Sequence, residues 1–167
     1  SIVSSVYFAN MDADPGWSVT GQWAYGDQKG RGGGAHGNSD PDDGYTGSNV
    51  CGVNLNGNYN HRSVGGPYYL TTQAIDCSGL EGIHLKFYRW LNSDFQPFVS
   101  ATIEVSNNAS TWKTVWENSS SNEVTDSSWQ LMECCICWDM TTILQPRKRR
   151  CGKCKPKSWK YLGWLLM

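Results

Sequence analysis

The chain has 167 residues, 39% of them hydrophobic, a size that gives one domain with a core that folds without a metal. Nine Trp, eight Tyr and four Phe stand against four Met, a balance that favours strands, and no run approaches the roughly 18 apolar residues of a membrane-spanning helix. The formal charge of −1 hides a split: residues 1–146 hold six bases against fifteen acids, net −9, while residues 147–167 hold eight bases and no acid. An acidic body repels nucleic acid, which excludes it as a partner, and attracts cations instead.

"SIVSSVYFA" opens the chain as a first strand, with Ile2, Val6 and Phe8 on one face. It lacks the basic region and apolar core of a signal peptide and reads as a processed start. "WSVTGQWAYG" follows the "DADPG" turn, and then comes a long glycine loop. Gly32 to Gly37 in that loop, "GGGAHG", match a dinucleotide fingerprint literally. A nucleotide loop must leave a strand and enter a helix, and "NSDPDDGYTGSN" favours turns, so the match is a surface loop. "VCGVNL" and "PYYLTTQAI" are the next strands. "IHLKFYRWL" carries the period-2 pattern, Ile83, Leu85 and Phe87 against His84, Lys86 and Tyr88, of a strand with one buried face. "FVSATIEVS" repeats it, with Val99, Ala101, Ile103 and Val105 inward and Ser100, Thr102, Glu104 and Ser106 outward. "WKTVWE" and "SWQLMECCI" complete about eight strands with no helical period between them, an antiparallel sandwich or barrel.

The segments "DADPGWSVTGQWAYG", "GGGAHGNSDPDDGYTGSNVCGVNLNG", "GGPYYLTTQAIDCSGLEGIHLKFYRWLN" and "VSATIEVSNNASTWKTVWENSS" resemble jelly-roll modules of secreted bacterial peptidases and cell-surface proteins, similar in style to MAM and carbohydrate-binding domains. The resemblance covers residues 7–133. It implies an all-β fold, an antiparallel two-sheet sandwich of jelly-roll type, an extracellular or cell-surface location and a non-catalytic role. Residues 134–167 depart from it as an atypical basic, Cys-rich tail in which only "SWKYLGW" looks like the approach to a last strand.

Several groups are candidates for chemistry. Asn38, Asp40, Asp42 and Asp43 offer hard oxygen ligands at near-alternating positions, and Asp12 and Asp14 add two more, the donor set of a structural calcium; the resemblance implies calcium near the first strand. Asn108 and Asn118 begin the sequons "NAS" and "NSS" and are glycosylation candidates on an extracellular surface. Cys51 and Cys77 are the disulfide candidate of the body in an oxidising compartment. His36, His61 and His84 have no nucleophile or metal-ligand partner at a recognisable spacing, so no residue is assigned to catalysis and the chain is read as a non-enzyme. "CGKC" and "RKRR" lie within the tail and are assigned no zinc or nucleic-acid site. Trp90, on the face opposite Phe87, is the candidate platform for a sugar ring.

The leading functional expectation is a structural subunit that assembles head-to-tail. The resembling modules have one more strand than this chain, a vacancy that invites pairing, and Ile2, Val3, Val6 and Phe8 are the candidate donor to a neighbouring copy. The alternative is a glycan-binding accessory module of a secreted hydrolase or adhesin, with surface glycans as partners.

Overall fold

A computed structural model describes residues 5–33, 37–59 and 66–136, and the backbone of 161–166. Among the described residues there is no helix and every paired strand is antiparallel. In chain order the strands are β1 (Ser18–Val19), β2 (Trp23–Asp27), β3 (Asn49–Val53), β4 (Tyr68–Thr71), β5 (His84–Arg89), β6 (Asn92–Ser93), β7 (Ala101–Ser106), β8 (Trp112–Glu117), β9 (Val124–Thr125), β10 (Gln130–Cys135) and β11 (Tyr161–Leu166). The main sheet runs β1-β4-β11-β7-β8, and β5 pairs β10, β2 pairs β3 and β6 pairs β9.

The expected alternation on β7 is borne out: Ala101, Ile103 and Val105 are buried, as is Val99 just before the strand. On β5 the inward positions are Leu85 and Phe87, with Ile83 preceding them, and His84, Lys86 and Tyr88 face out. Cys77 and Val105 form a core cluster with Ile75, Ile83, Leu85, Val115 and Ile136 packed on it, so residues of β5, β7 and β8 meet in one apolar layer. That contact gives the fold its sandwich-like character. A bulge between Ile103 and Glu104 lets β8 keep Trp116 opposite Ile103 while bending the pair. At the β1–β2 turn Gly21 has φ 61°, and a Cβ there would run into the Tyr68 ring, so both conformation and space demand glycine.

The structure corrects four expectations at this level. Ser5–Phe8 is not a strand, and Val6 and Phe8 are 53% and 77% exposed; with apolar faces uncovered and no strand among the described residues paired with them, nothing fixes an extended pairing. Ile2 and Val3 lie outside the described residues, as do His36, His61 and the tail cysteines Cys137, Cys151 and Cys154. Ser106, expected outward, is fully buried, because its hydroxyl donates to the Thr111 carbonyl at 2.6 Å and closes the β7–β8 turn. The expected vacancy in the main sheet is filled: β11 lies between β4 and β7, pairing Trp164 with Leu70 on one side and Ile103 on the other. Cys51 and Cys77 are free thiols rather than a disulfide, since Cys51 lies on β3 against the Met11 sulfur at 3.9 Å while Cys77 sits in the core cluster.

Candidate functional site

The glycine loop between β2 and β3 is a strap pinned at both ends and in its middle. Its two arms pair, Gly30 N donating to Pro41 O and Asp40 N to Gly32 O, both at 3.1 Å. A Cβ on Gly30 would meet the Asp42 carboxylate, and one on Gly32 that of Asp40; the glycines are there to let the acidic arm lie close. Asn38 ties the strap to β6 and β9, its backbone N–H donating to Asn92 Oδ1 at 2.9 Å and its side-chain amide to Thr125 O at 3.0 Å. Thr46 Oγ1 donates to Asn10 O at 2.8 Å, joining the far end to the segment before β1.

Two of the expected calcium ligands make local hydrogen bonds. Asp14 Oδ1 accepts from Gly16 N at 2.8 Å, and Asp12 takes the Asn10 amide, so both are engaged in local turns. Among the described residues no three His, Cys, Asp or Glu side chains converge as a metal-ligand group.

The strap also delivers Tyr45 onto the outer face of β5 and β10, where it stacks on Tyr88 with ring centroids 3.3 Å apart and planes 12° from parallel. Register builds the rest of that face: Leu131 lies opposite Tyr88, Glu133 opposite Lys86 and Cys135 opposite His84. Leu131 is 56% exposed and Tyr45 52%. One rung further, Trp90 packs edge-on against Trp129, centroids 5.8 Å apart and planes at 73°. Glu133 Oε1 holds His84 Nδ1 at 3.1 Å and Lys86 Nζ at 3.4 Å. The hydrogen bond with Tyr45, and then burial, hold the Tyr88 hydroxyl above its ordinary 10.0. The face is therefore a row of aromatic and aliphatic surface ending in a charged, hydrogen-bonding rung.

Trp90 sits in this row on the expected side, but it is half-buried and its indole N–H is enclosed without a partner among the described residues. The exposed stacking surface belongs to Tyr45 and Tyr88. The sequence marked Tyr88 only as an outward residue, and Tyr45 carried no signal, because the strap that brings it there spans positions far apart in sequence.

The two sequons have opposite environments. Asn108 is exposed in the β7–β8 turn, its Oδ1 accepting from Ser110 N at 2.9 Å and Thr111 N at 2.8 Å. Asn118 is 4% exposed. Its amide donates to Asp94 O at 3.1 Å and Val99 O at 2.9 Å, and its Oδ1 accepts from Ala101 N at 3.0 Å. With both amide hydrogens engaged inside the fold, Asn118 is withdrawn as a glycan acceptor.

Cys51 is held from pKa 9.0 up to about 11 by burial first and the nearby Asp14 carboxylate second. Almost no thiolate exists at pH 8, so alkylation of the native protein at that pH is expected to modify Cys51 at least about tenfold more slowly than exposed Cys135. Peptide mass spectrometry over a time course reads this, and equal rates refute it. Because the folded pKa lies above the unfolded one, the stability this protonated thiol contributes is complete below pH 9 and is lost as pH rises towards 11.

No family model, curated protein or solved structure matches this chain.

Proposed function

We propose that this chain is a non-catalytic extracellular recognition module that binds a glycan along the outer face of β5 and β10. The observation that carries the reading is the Tyr45–Tyr88 stack, an exposed aromatic surface assembled from two distant parts of the chain. Pyranose rings present C–H faces that pack on aromatic rings, while their hydroxyls need donors and acceptors close by. Same-face residues on a strand recur about every 7 Å, so the rungs from Trp90 through Tyr88 and Lys86 to His84 span about 20 Å, a length suited to a short run of linked sugars. Glu133, Lys86 and His84 supply the polar end. The resemblance to carbohydrate-binding jelly rolls supports the same reading, and the exposed Asn108 suits a protein surface outside the cell.

The test is a glycan array followed by titration of the best ligand. Tyr45→Ala is expected to cost about 2 kcal/mol of binding, roughly 30-fold, as central aromatic contacts do. Phe98→Ala, an exposed aromatic away from this row, should change nothing. An array without signal, or equal losses for the two variants, refutes the proposal. Self-assembly through the lead residues Val6 and Phe8 ranks below it, because the gap those residues were to fill is occupied by β11.

A further inference from the structure

We propose that Tyr45 and Tyr88 are an oxidative cross-linking pair, joined through a carbon–carbon bond by a peroxidase-type one-electron oxidant, so that the glycine strap is fixed covalently to β5. The observation is the kind of stack they form. Aromatic pairs left to themselves settle offset or edge-on, with centroids about 4.5–7 Å apart. Trp90–Trp129 and Phe95–Phe98 do so here, at 5.8 and 5.3 Å. Tyr45 and Tyr88 instead lie face to face, centroids 3.3 Å apart and planes 12° from parallel. Their hydroxyls also share a hydrogen bond, so the two rings point the same way and the carbon beside each hydroxyl lies over its counterpart. The backbone imposes this arrangement. Asn38 is bonded to Asn92 and Thr125, and Thr46 to Asn10, so the strap is anchored on both sides of Tyr45, while Tyr88 is held in the β5–β10 ladder opposite Leu131. Both rings still reach solvent, Tyr45 52% and Tyr88 38% exposed, which gives an oxidant access to either.

The chemistry balances. Each phenol loses one electron and its hydroxyl proton, the proton passing to water, and becomes a neutral phenoxyl radical. Unpaired density in such a radical sits on the oxygen and on the ring carbons ortho and para to it. The para carbon carries the rest of the side chain, so coupling falls to the ortho carbons, the atoms that the stack lays against each other. As they bond, the hydrogen on each moves to its own ring oxygen and restores the phenol. The chain ends lighter by two hydrogens, and hydrogen peroxide, the terminal oxidant, takes up the two electrons and two protons and becomes two molecules of water. Reactants already held in contact and in register couple far faster than ones that must meet by diffusion, so the bond forms within one chain rather than between chains. It closes residues 45–88 into a covalent loop and removes the strap's freedom to lift from β5. The solvent side of Tyr45 stays open, so the cross-link does not depend on a glycan being bound there.

The experiment treats the full chain with a haem peroxidase and hydrogen peroxide, and separately with photochemically generated sulfate radical, a small oxidant that reaches any exposed ring. Dityrosine fluorescence is read on a denaturing gel, and digests are searched for a peptide pair joined at residues 45 and 88 and two hydrogens lighter than its parts. At about 10 µM protein the fluorescence should lie in the monomer band, at least about tenfold over covalent dimer. Tyr45→Phe and Tyr88→Phe keep a ring in place and should each remove at least about nine-tenths of the monomer signal. Tyr69→Phe, at an exposed tyrosine on β4, should leave it unchanged. Absence of the 45–88 link under both oxidants overturns the proposal. A signal confined to covalent dimers, or a monomer signal that survives Tyr45→Phe, also overturns it, since either places the coupling elsewhere.

Discussion

Asp126→Ala is expected to lower the unfolding free energy by about 4 kcal/mol, within the 3–5 kcal/mol typical of a buried ion pair that loses one member. Asp126 takes Arg89 in a two-point grip, Nε to Oδ2 and Nη2 to Oδ1 both at 3.0 Å. Its side chain is 9% exposed and that of Arg89 17%. The same carboxylate accepts from Leu91 N at 2.9 Å, and Asp126 N donates back to Leu91 O at 3.1 Å, so one side chain fixes where the chain leaves β5 and where it leaves β9. The guanidinium lies 5.0 Å from the Trp116 ring on β8, tying the β5–β10 layer to the main sheet. Truncation leaves a desolvated cation and an unpaired N–H. Denaturant unfolding measures the effect. Arg89→Met together with Asp126→Leu should be less destabilised than Asp126→Ala, because no charge is then stranded. A loss under about 1 kcal/mol for Asp126→Ala would show that the pair is not the tie the geometry indicates.

Asn118→Ala comes next, with an expected loss of about 3 kcal/mol from several buried polar groups stranded together at 1–3 kcal/mol each. Asn118 reaches across from the end of β8 and satisfies Ala101 N and Val99 O at the start of β7 and Asp94 O just after β6. Gln96 Nε2 adds a bond to the Asn118 carbonyl at 3.1 Å. The substitution leaves the Ala101 N–H and the Val99 carbonyl buried without that partner, beside the residues that open the best-buried strand. Ser120→Ala removes the same sequon and leaves Asn118 in place, so it should stay within about 0.5 kcal/mol of the parent. If the two variants unfold alike, Asn118 is not the clasp of the β7–β8 pair.

The all-β class and the faces of β5 and β7 were legible in the sequence. Alternation is a local signal, and Leu85, Phe87, Ile103 and Val105 carry it because a strand with one dry face must repeat every second residue. The dismissal of "GGGAHG" as a nucleotide loop came from residues next to it, for the same local reason. Short strands such as β6 and β9, two residues each, are too brief to show a period. They exist because Asp126 and Asn38 bind across them. The tail's approach to a last strand was visible at Ser158–Trp164, but its place between β4 and β7 was not, since pairing order depends on which edges lie open once the remainder has packed.

The sequence by itself determined the strand class, the acidic body and the buried faces, each a property of composition or of neighbours one or two positions apart. Only the tertiary structure decided which polar residues are spent internally. Asn118 and Asn108 begin similar triplets, and one is a buried clasp while the other lies in an exposed turn. Tyr45 and Tyr88 stand 43 positions apart and share a stack because the strap is anchored at Asn92, Thr125 and Asn10. Hydrogen-bond satisfaction and ring contact are properties of three-dimensional neighbours, and a chain of alternating strands specifies those neighbours only after its sheets have met.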